Sequence, residues 1–196
     1  MEVNLRRLSG IWDDGYALDK HMKSSTFVGY DPSNGHPRFD NIRTAAGEAV
    51  YQLKYQQNWG EAKKLAEAVF GEIVPKLPKI GLIIPMPAST SRQRQPVDEV
   101  ASELAPLMAV SSFDNIIVKA ASTSGVTLKN LSTKAEKEAE LEGRFSINDP
   151  ISQQGKWNVL LLDDLYDSGA SMEAATKALR TYPKIDKIYI AALTWK

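Results

Sequence analysis

Cysteine is absent from the 196 residues, and histidine occurs only at His21 and His36. Disulfides, thiolate zinc sites and cysteine nucleophiles are thereby excluded, and a metal centre of several imidazoles is disfavoured. Neither sign of charge dominates, with 24 Lys and Arg against 24 Asp and Glu. No block of basic residues stands out, which argues against nucleic acid as a strong electrostatic partner while leaving a local basic face open. No apolar run approaches the ~20 residues of a membrane span. The opening residues, Met1 to Arg7, contain no apolar signal core. A soluble, cytoplasmic protein with no membrane partner is expected. The length suits one α/β domain with a modest extension, and there is no internal repeat.

The chain is organised around Asn158 to Ser171. Four apolar residues, Val159 to Leu162, suit a strand buried on both faces of a parallel sheet. Asp163 and Asp164 follow, then a loop from Leu165 to Ala170. Met172 to Arg180 is expected to be an amphipathic helix with Ala175, Ala178 and Leu179 toward the sheet. The first N–H groups of a helix lack internal partners and carry partial positive charge, so this strand, loop and helix start form a nest for a phosphate. Gly169 permits close approach, and Ser168 and Ser171 add hydroxyl donors. A carboxylate beside a phosphate nest repels phosphate, so the acidic pair needs another task. It can accept hydrogen bonds from sugar hydroxyls, or hold Mg2+ directly or through water. An ordinary buried strand ending in an acidic helix cap is the bland alternative, but the full arrangement is harder to reach by chance.

Elsewhere the pattern alternates strands and helices. Thr26 to Phe39 is expected to be a strand, a turn at Asp31 to Gly35 and a return strand. Residues 42–56 and Glu61 to Val74 read as helices, the first with Ile42, Ala46, Ala49, Val50 and Leu53 on its apolar face. Gly81 to Ser89 reads as a buried strand that ends in two prolines and small polar residues and so turns sharply, and Val97 to Met108 reads as a helix. Asn115 to Lys119 reads as a strand, Ala120 to Lys129 as a mobile loop and Ser132 to Glu142 as a charged helix. Gly143 to Ile147 and Lys187 to Thr194 read as strands. Together they predict an open, mainly parallel sheet with helices on both faces. A small N-terminal β or hood-like segment (1–41) would precede the main α/β domain (42–196). Trp12, Tyr16 and His21 either line a substrate pocket or pack this segment on the body. Ligands of such sheets sit beyond the carboxyl ends of the strands, which brings Ala88, Ser89, Thr90 and Arg92 near the site.

Leu-Leu-Leu-Asp-Asp-Leu-Tyr-Asp-Ser-Gly-Ala-Ser, ending at Ser171, resembles the ribose-phosphate signature of the type I phosphoribosyltransferases. Tyr51-Gln-Leu-Lys-Tyr55, Lys64-Leu-Ala66 and Ile83-Ile-Pro-Met-Pro87 resemble segments of the competence protein F (ComF) branch, in the same order. The chain departs from that branch in lacking its cysteine zinc ribbon. It also has Arg94-Gln-Pro-Val-Asp98 where Arg-Gly-Phe-Asn-Gln is usual.

The resemblance implies binding of 5-phosphoribosyl diphosphate with Mg2+ and phosphoribosyl transfer to an unidentified small-molecule acceptor, which could be purine-like. Carried over, Asp163 and Asp164 contact the ribose hydroxyls and the metal. Asp167, Ser168, Gly169, Ala170 and Ser171 hold the 5-phosphate. Ala88, Ser89, Thr90 and Arg92 are candidates for the diphosphate, and Lys119, Lys129, Lys134 or Arg144 for a further cation. Asp167 is either a general base or a loop residue bonded to its own backbone. With no hood after the last strand, the acceptor pocket is expected from the N-terminal portion or a partner subunit, and the family suggests a homodimer. The rivals are a non-catalytic phosphoribosyl-ligand sensor or accessory protein in DNA uptake or defence, and a different phosphate-binding α/β protein.

Overall fold

The computed structural model describes residues 1–90, 92–122 and 125–196, and of Lys129 the backbone alone. Its centre is an α/β sheet of six strands in the order β1-β2-β10-β9-β5-β6. These are β1 (Arg6–Arg7), β2 (Asp14–Lys20), β5 (Leu82–Pro85), β6 (Ser111–Ser112), β9 (Trp157–Tyr166) and β10 (Ile185–Trp195). All neighbours run parallel except β1, which lies antiparallel on the edge of β2. The expected open, mainly parallel sheet is therefore present.

The apolar run that begins β9 explains its central place. Val159, Leu160, Leu161 and Leu162 are all fully buried. Their alternation feeds two cores. Leu160 and Leu162 pack with Leu53, Leu65 and Leu104, from α1 (Ala45–Tyr55), α2 (Gly60–Ala68) and α3 (Pro96–Met108). Val159 and Leu161 face Met172, Ala175 and Leu179 of α5 (Ala170–Leu179). Helices thus cover both faces.

Several boundaries differ from expectation. The strand expected to end at Leu162 continues to Tyr166, because β10 pairs with β9 as far as Trp195 opposite Tyr166. Its other neighbour, β5, ends with Pro85 opposite Leu162. The first helix starts at Ala45 after Thr44, whose hydroxyl accepts the Gly47 N–H at 2.9 Å. Ile42, expected on that helix's apolar face, instead lies in a strand and is 54% exposed. The second helix closes as α2, followed by a wide turn at Val69–Ile73 and a tight one at Val74–Lys76.

The N-terminal region divides. Asp14–Lys20 forms β2 in the central sheet, with Ala17 and Leu18 fully buried. The strand, turn and return strand form a separate hairpin, β3 (Met22–Tyr30) and β4 (Pro37–Arg43). A second small pair, β7 (Ile117–Lys119) and β8 (Phe145–Ile147), flanks α4 (Lys134–Leu141). Thr133 and Glu136 close a reciprocal cap at the start of α4. Of the stretch expected as a mobile loop, Thr123 and Ser124 lie outside the described residues. Among the described residues no helix is long and apolar enough to cross a membrane.

Candidate functional site

The staggered ends of β5 and β9 create the site. Beyond Leu162, β9 has β10 on one side only, so Asp163 to Tyr166 border open space at the carboxyl end of the sheet. Two cavities meet there, of about 300 Å3 and 280 Å3, sharing Asp163, Leu165 and Ser171.

The first cavity is bounded by Lys54 and Tyr55 at the end of α1, by Ala88, Ser89, Thr90 and Arg92 after β5, and by Lys119, Asp163 and Asp164. All four residues proposed for a diphosphate therefore face the acidic pair. Arg92 Nη1 donates to the carbonyl of Lys54 at 3.2 Å, which ties this loop to α1. Arg94 turns away, forming a two-point bond to Glu99 and stacking 4.3 Å from the Trp59 ring centroid.

Asp163 and Asp164 have different surroundings although adjacent. Asp163 is half-buried and accepts the N–H of Asp164 at 2.8 Å. Burial first, and then the charge of Asp164, push its carboxyl up to about 7. Asp164 is bonded to Lys54 Nζ. Burial opposes the charge on Lys54, but Asp164 more than offsets it, and the lysine is held above its ordinary range. Lys119 donates to Ser89 Oγ at 2.9 Å. Burial and then Arg144 lower its ammonium pKa, with Asp163 acting in the opposite sense.

The second cavity is lined by Asp167, Ser168, Gly169, Ala170 and Ser171, with Lys137 and Lys196. Gly169 caps α5 with φ +82°, and an added Cβ would lie 3.0 Å from the Tyr166 hydroxyl. The left-handed backbone and the close ring both require glycine here. Asp167 is bonded to Lys137 Nζ at 2.6 Å, a contact that holds its carboxyl below the ordinary range. It reaches across to α4 instead of folding onto its own loop.

Of the four further cations considered, Lys119 lines a cavity. Lys134 bonds Glu173 at 2.7 Å. Arg144 bonds Glu140 and the carbonyl of Ala120. The side chain of Lys129 lies outside the described residues. Trp12, Tyr16 and His21 line neither cavity. Trp12 is buried and donates to the Leu8 carbonyl at 3.1 Å, and Tyr16 packs against the core. His21 Nδ1 lies 3.2 Å from Thr194 Oγ1, which donates to the Asp164 carbonyl at 2.8 Å. It therefore supports the acidic pair from behind.

Sequence reasoning missed Lys54 and Lys137 as site residues. Their partners lie 110 and 30 residues away, so no local pattern marks them. The only signal for Lys54 was its place within Tyr51 to Tyr55. Among the described residues no three His, Cys, Asp or Glu side chains converge on a metal position. The donor set fits Mg2+ only in its usual manner, one or two carboxylates completed by ligand oxygens and water.

No family model and no curated protein matches the sequence. Among solved structures, the chain is similar to adenine phosphoribosyltransferase from Leishmania tarentolae, at 8% identity and TM-score 0.46, over 96% of this chain and 94% of that one. It is similar to adenine phosphoribosyltransferase from Saccharomyces cerevisiae at 13% identity and TM-score 0.45, over 88% and 84%. It is also similar to UMP synthase from Leishmania donovani at 14% identity and TM-score 0.41, covering 85% of this chain but 28% of that one. The chain thus spans about a quarter of that protein's length. These likenesses are distant, and the functional conclusion rests on the chain's own residues.

Proposed function

We propose that the two cavities bind 5-phosphoribosyl diphosphate and that the protein transfers its phosphoribosyl group to a small acceptor. The observation that carries this is the acidic pair standing between two different anion-suited walls. On one side is the Gly169-capped loop at the start of α5, with Lys137 and Lys196. On the other are Ser89, Thr90, Arg92 and Lys119. A ribose with a phosphate at one end and a diphosphate at the other matches that order. The motif resemblance supports the same assignment.

In this reading the N–H groups of Ala170 and Ser171 and the hydroxyls of Ser168 and Ser171 take the 5-phosphate. Lys137 exchanges Asp167 for it. Asp163 and Asp164 accept hydrogen bonds from the ribose hydroxyls and supply the carboxylates beside which Mg2+ would bind. That ion, when bound, would neutralise diphosphate charge. The C1–O bond to diphosphate breaks with its electron pair leaving on oxygen, and an acceptor lone pair forms the new bond to C1. Arg92 and Lys119 stabilise the charge that grows on the leaving diphosphate. The carboxylates lie where oxocarbenium character develops, and Asp167, once released by Lys137, is available to take the acceptor's proton.

One observation favours the sensor alternative. Asp164 and Asp167 already carry lysine partners, so ligand entry would exchange ion pairs, an event a binding protein could transmit without catalysis. Release of diphosphate separates the two. With 5-phosphoribosyl diphosphate, Mg2+ and a panel of purine and pyrimidine bases, the enzyme reading expects acceptor-dependent release. Binding without release under every acceptor would contradict transfer to those bases and favour the sensor.

A further inference from the structure

Among the charged side chains lining the first cavity, Lys54 has no task in the transfer proposed above. It stands next to last in α1, on a helix anchored by the buried Val50 and Leu53. Both its side chain and its backbone are engaged. Nζ donates to Asp164 Oδ2, and the carbonyl accepts Arg92 Nη1 at 3.2 Å. One residue therefore joins the acidic pair to the loop after β5. Asp164 is held from its own side as well. Its N–H donates to Asp163 Oδ1 at 2.8 Å, and its carbonyl accepts Thr194 Oγ1 at 2.8 Å. A helix end thus delivers an ammonium onto a fixed strand end. The two side chains are only 26% and 16% exposed, so solvent and salt screen this pair less than a surface ion pair.

That position is the one a divalent cation would need. A carboxylate occupied by an ammonium cannot also ligate a metal without bringing two cations together, and like charges at contact repel strongly where water is largely excluded. The cavity as a whole has the same bias. Among the described residues Lys54, Arg92 and Lys119 stand there against Asp163 and Asp164, three positive charges against two negative. A free divalent cation is repelled, whereas a diphosphate is attracted. The diphosphate also offers Lys54 another partner, because Ser89, Thr90 and Arg92 line the same cavity. The flexible stem of a lysine lets its ammonium change partners while α1 stays in place.

We propose that Lys54 is a resident counter-ion that closes the acidic pair to free metal and opens it to metal arriving with a diphosphate. The ammonium leaves Asp164 for a diphosphate oxygen, and the vacated carboxylate faces the divalent cation that accompanies the diphosphate. Metal and diphosphate are thereby coupled through one side chain, each strengthening the other. The inference rests on the proposed reading of the acidic pair as the metal site and of the Arg92 loop as the diphosphate site.

Binding of Mn2+ to the full chain, followed by water-proton relaxation, tests this without turnover, with calorimetry for inorganic diphosphate. Wild type is expected to bind free Mn2+ weakly, and the preformed Mn2+–diphosphate complex at least ~10-fold more tightly than either component. Lys54→Met should bind free Mn2+ at least ~10-fold more tightly than wild type, and metal-free diphosphate more weakly. A loosened α1 would not move the two affinities in opposite directions. Lys54→Arg keeps the charge and should follow wild type, while Asp163→Asn/Asp164→Asn should lose Mn2+ with or without diphosphate. Equal affinity of wild type and Lys54→Met for free Mn2+ would overturn the inference while leaving the acidic pair a metal site. So would a Lys54→Met protein that loses both ligands alike. No Mn2+ bound by either protein, with diphosphate or without, would overturn it together with the function proposed above.

Discussion

The end of β9 and the loop after it carry three carboxylates within five residues, and the fold treats them in opposite ways. Asp163 is enclosed beside a second carboxylate, and its proton is held up to about 7. Asp167 is partly exposed, is met by Lys137, and is held in its charged form. The strand end is therefore a place where negative charge is costly. The loop is a place where charge is already compensated, and the proposed function would exchange that pair for a ligand phosphate. A strand held by β10 fixes the first group, while the second depends on α4, a helix with only Leu141 buried.

The contrast predicts that removing the acidic pair has the largest effect. Asp163→Asn/Asp164→Asn should weaken 5-phosphoribosyl diphosphate binding at least ~100-fold, since hydrogen bonds to charged groups contribute about 1.5–3 kcal/mol each. Titration calorimetry measures this, and an affinity within a few fold of wild type would remove the distinction between strand end and loop.

Gly169→Ala comes next. A non-glycine residue in left-handed backbone costs about 1–2 kcal/mol, and Tyr166 must also give way. A fall in Tm of about 2–4 °C per kcal/mol is expected for a chain of this size, with weaker binding of ribose 5-phosphate. Unchanged Tm and affinity would show that the loop does not depend on this cap.

The two carboxyls also set opposite pH trends. Asp163 has a raised folded value, so its contribution to stability is greatest below the ordinary carboxylate range and is lost as pH rises through about 7. In the proposed binding mode Asp163 acts as a carboxylate, so affinity for 5-phosphoribosyl diphosphate with Mg2+ should rise between about pH 6 and pH 8. The slope should flatten in Asp163→Asn. Asp167, with a lowered folded value, contributes stability above the ordinary range and loses it as pH falls through its folded value.

Lys137→Met has the smallest expected effect on stability. The pair it breaks is partly exposed and contributes about 0–1 kcal/mol, so Tm should move by no more than a few degrees. Its effect should appear as a rise of the Asp167 pKa, followed by carboxyl NMR. An unmoved Asp167 would mean that Lys137 does not hold it.

The sheet was legible in the sequence through its apolar runs, and the candidate site was read from the order of carboxylates, glycine and small residues. What escaped was set by distant partners. Asp163 and Asp164 are of a type depleted in strands, and the strand runs through them to Tyr166 because β10 pairs with it. β2 has a glycine at Gly15 and little apolar length, and becomes a strand by joining β10. Ile42 looked like helix core by its spacing, but Thr44 starts the helix after it.

Titration of the folded wild-type protein with 5-phosphoribosyl diphosphate and Mg2+ tests the central claim most directly. Saturable binding that requires Mg2+, strengthens with rising pH and disappears in Asp163→Asn/Asp164→Asn is the result expected. No binding, or equal binding by the variant, would contradict the assignment of this strand end to a ribose between two phosphate groups.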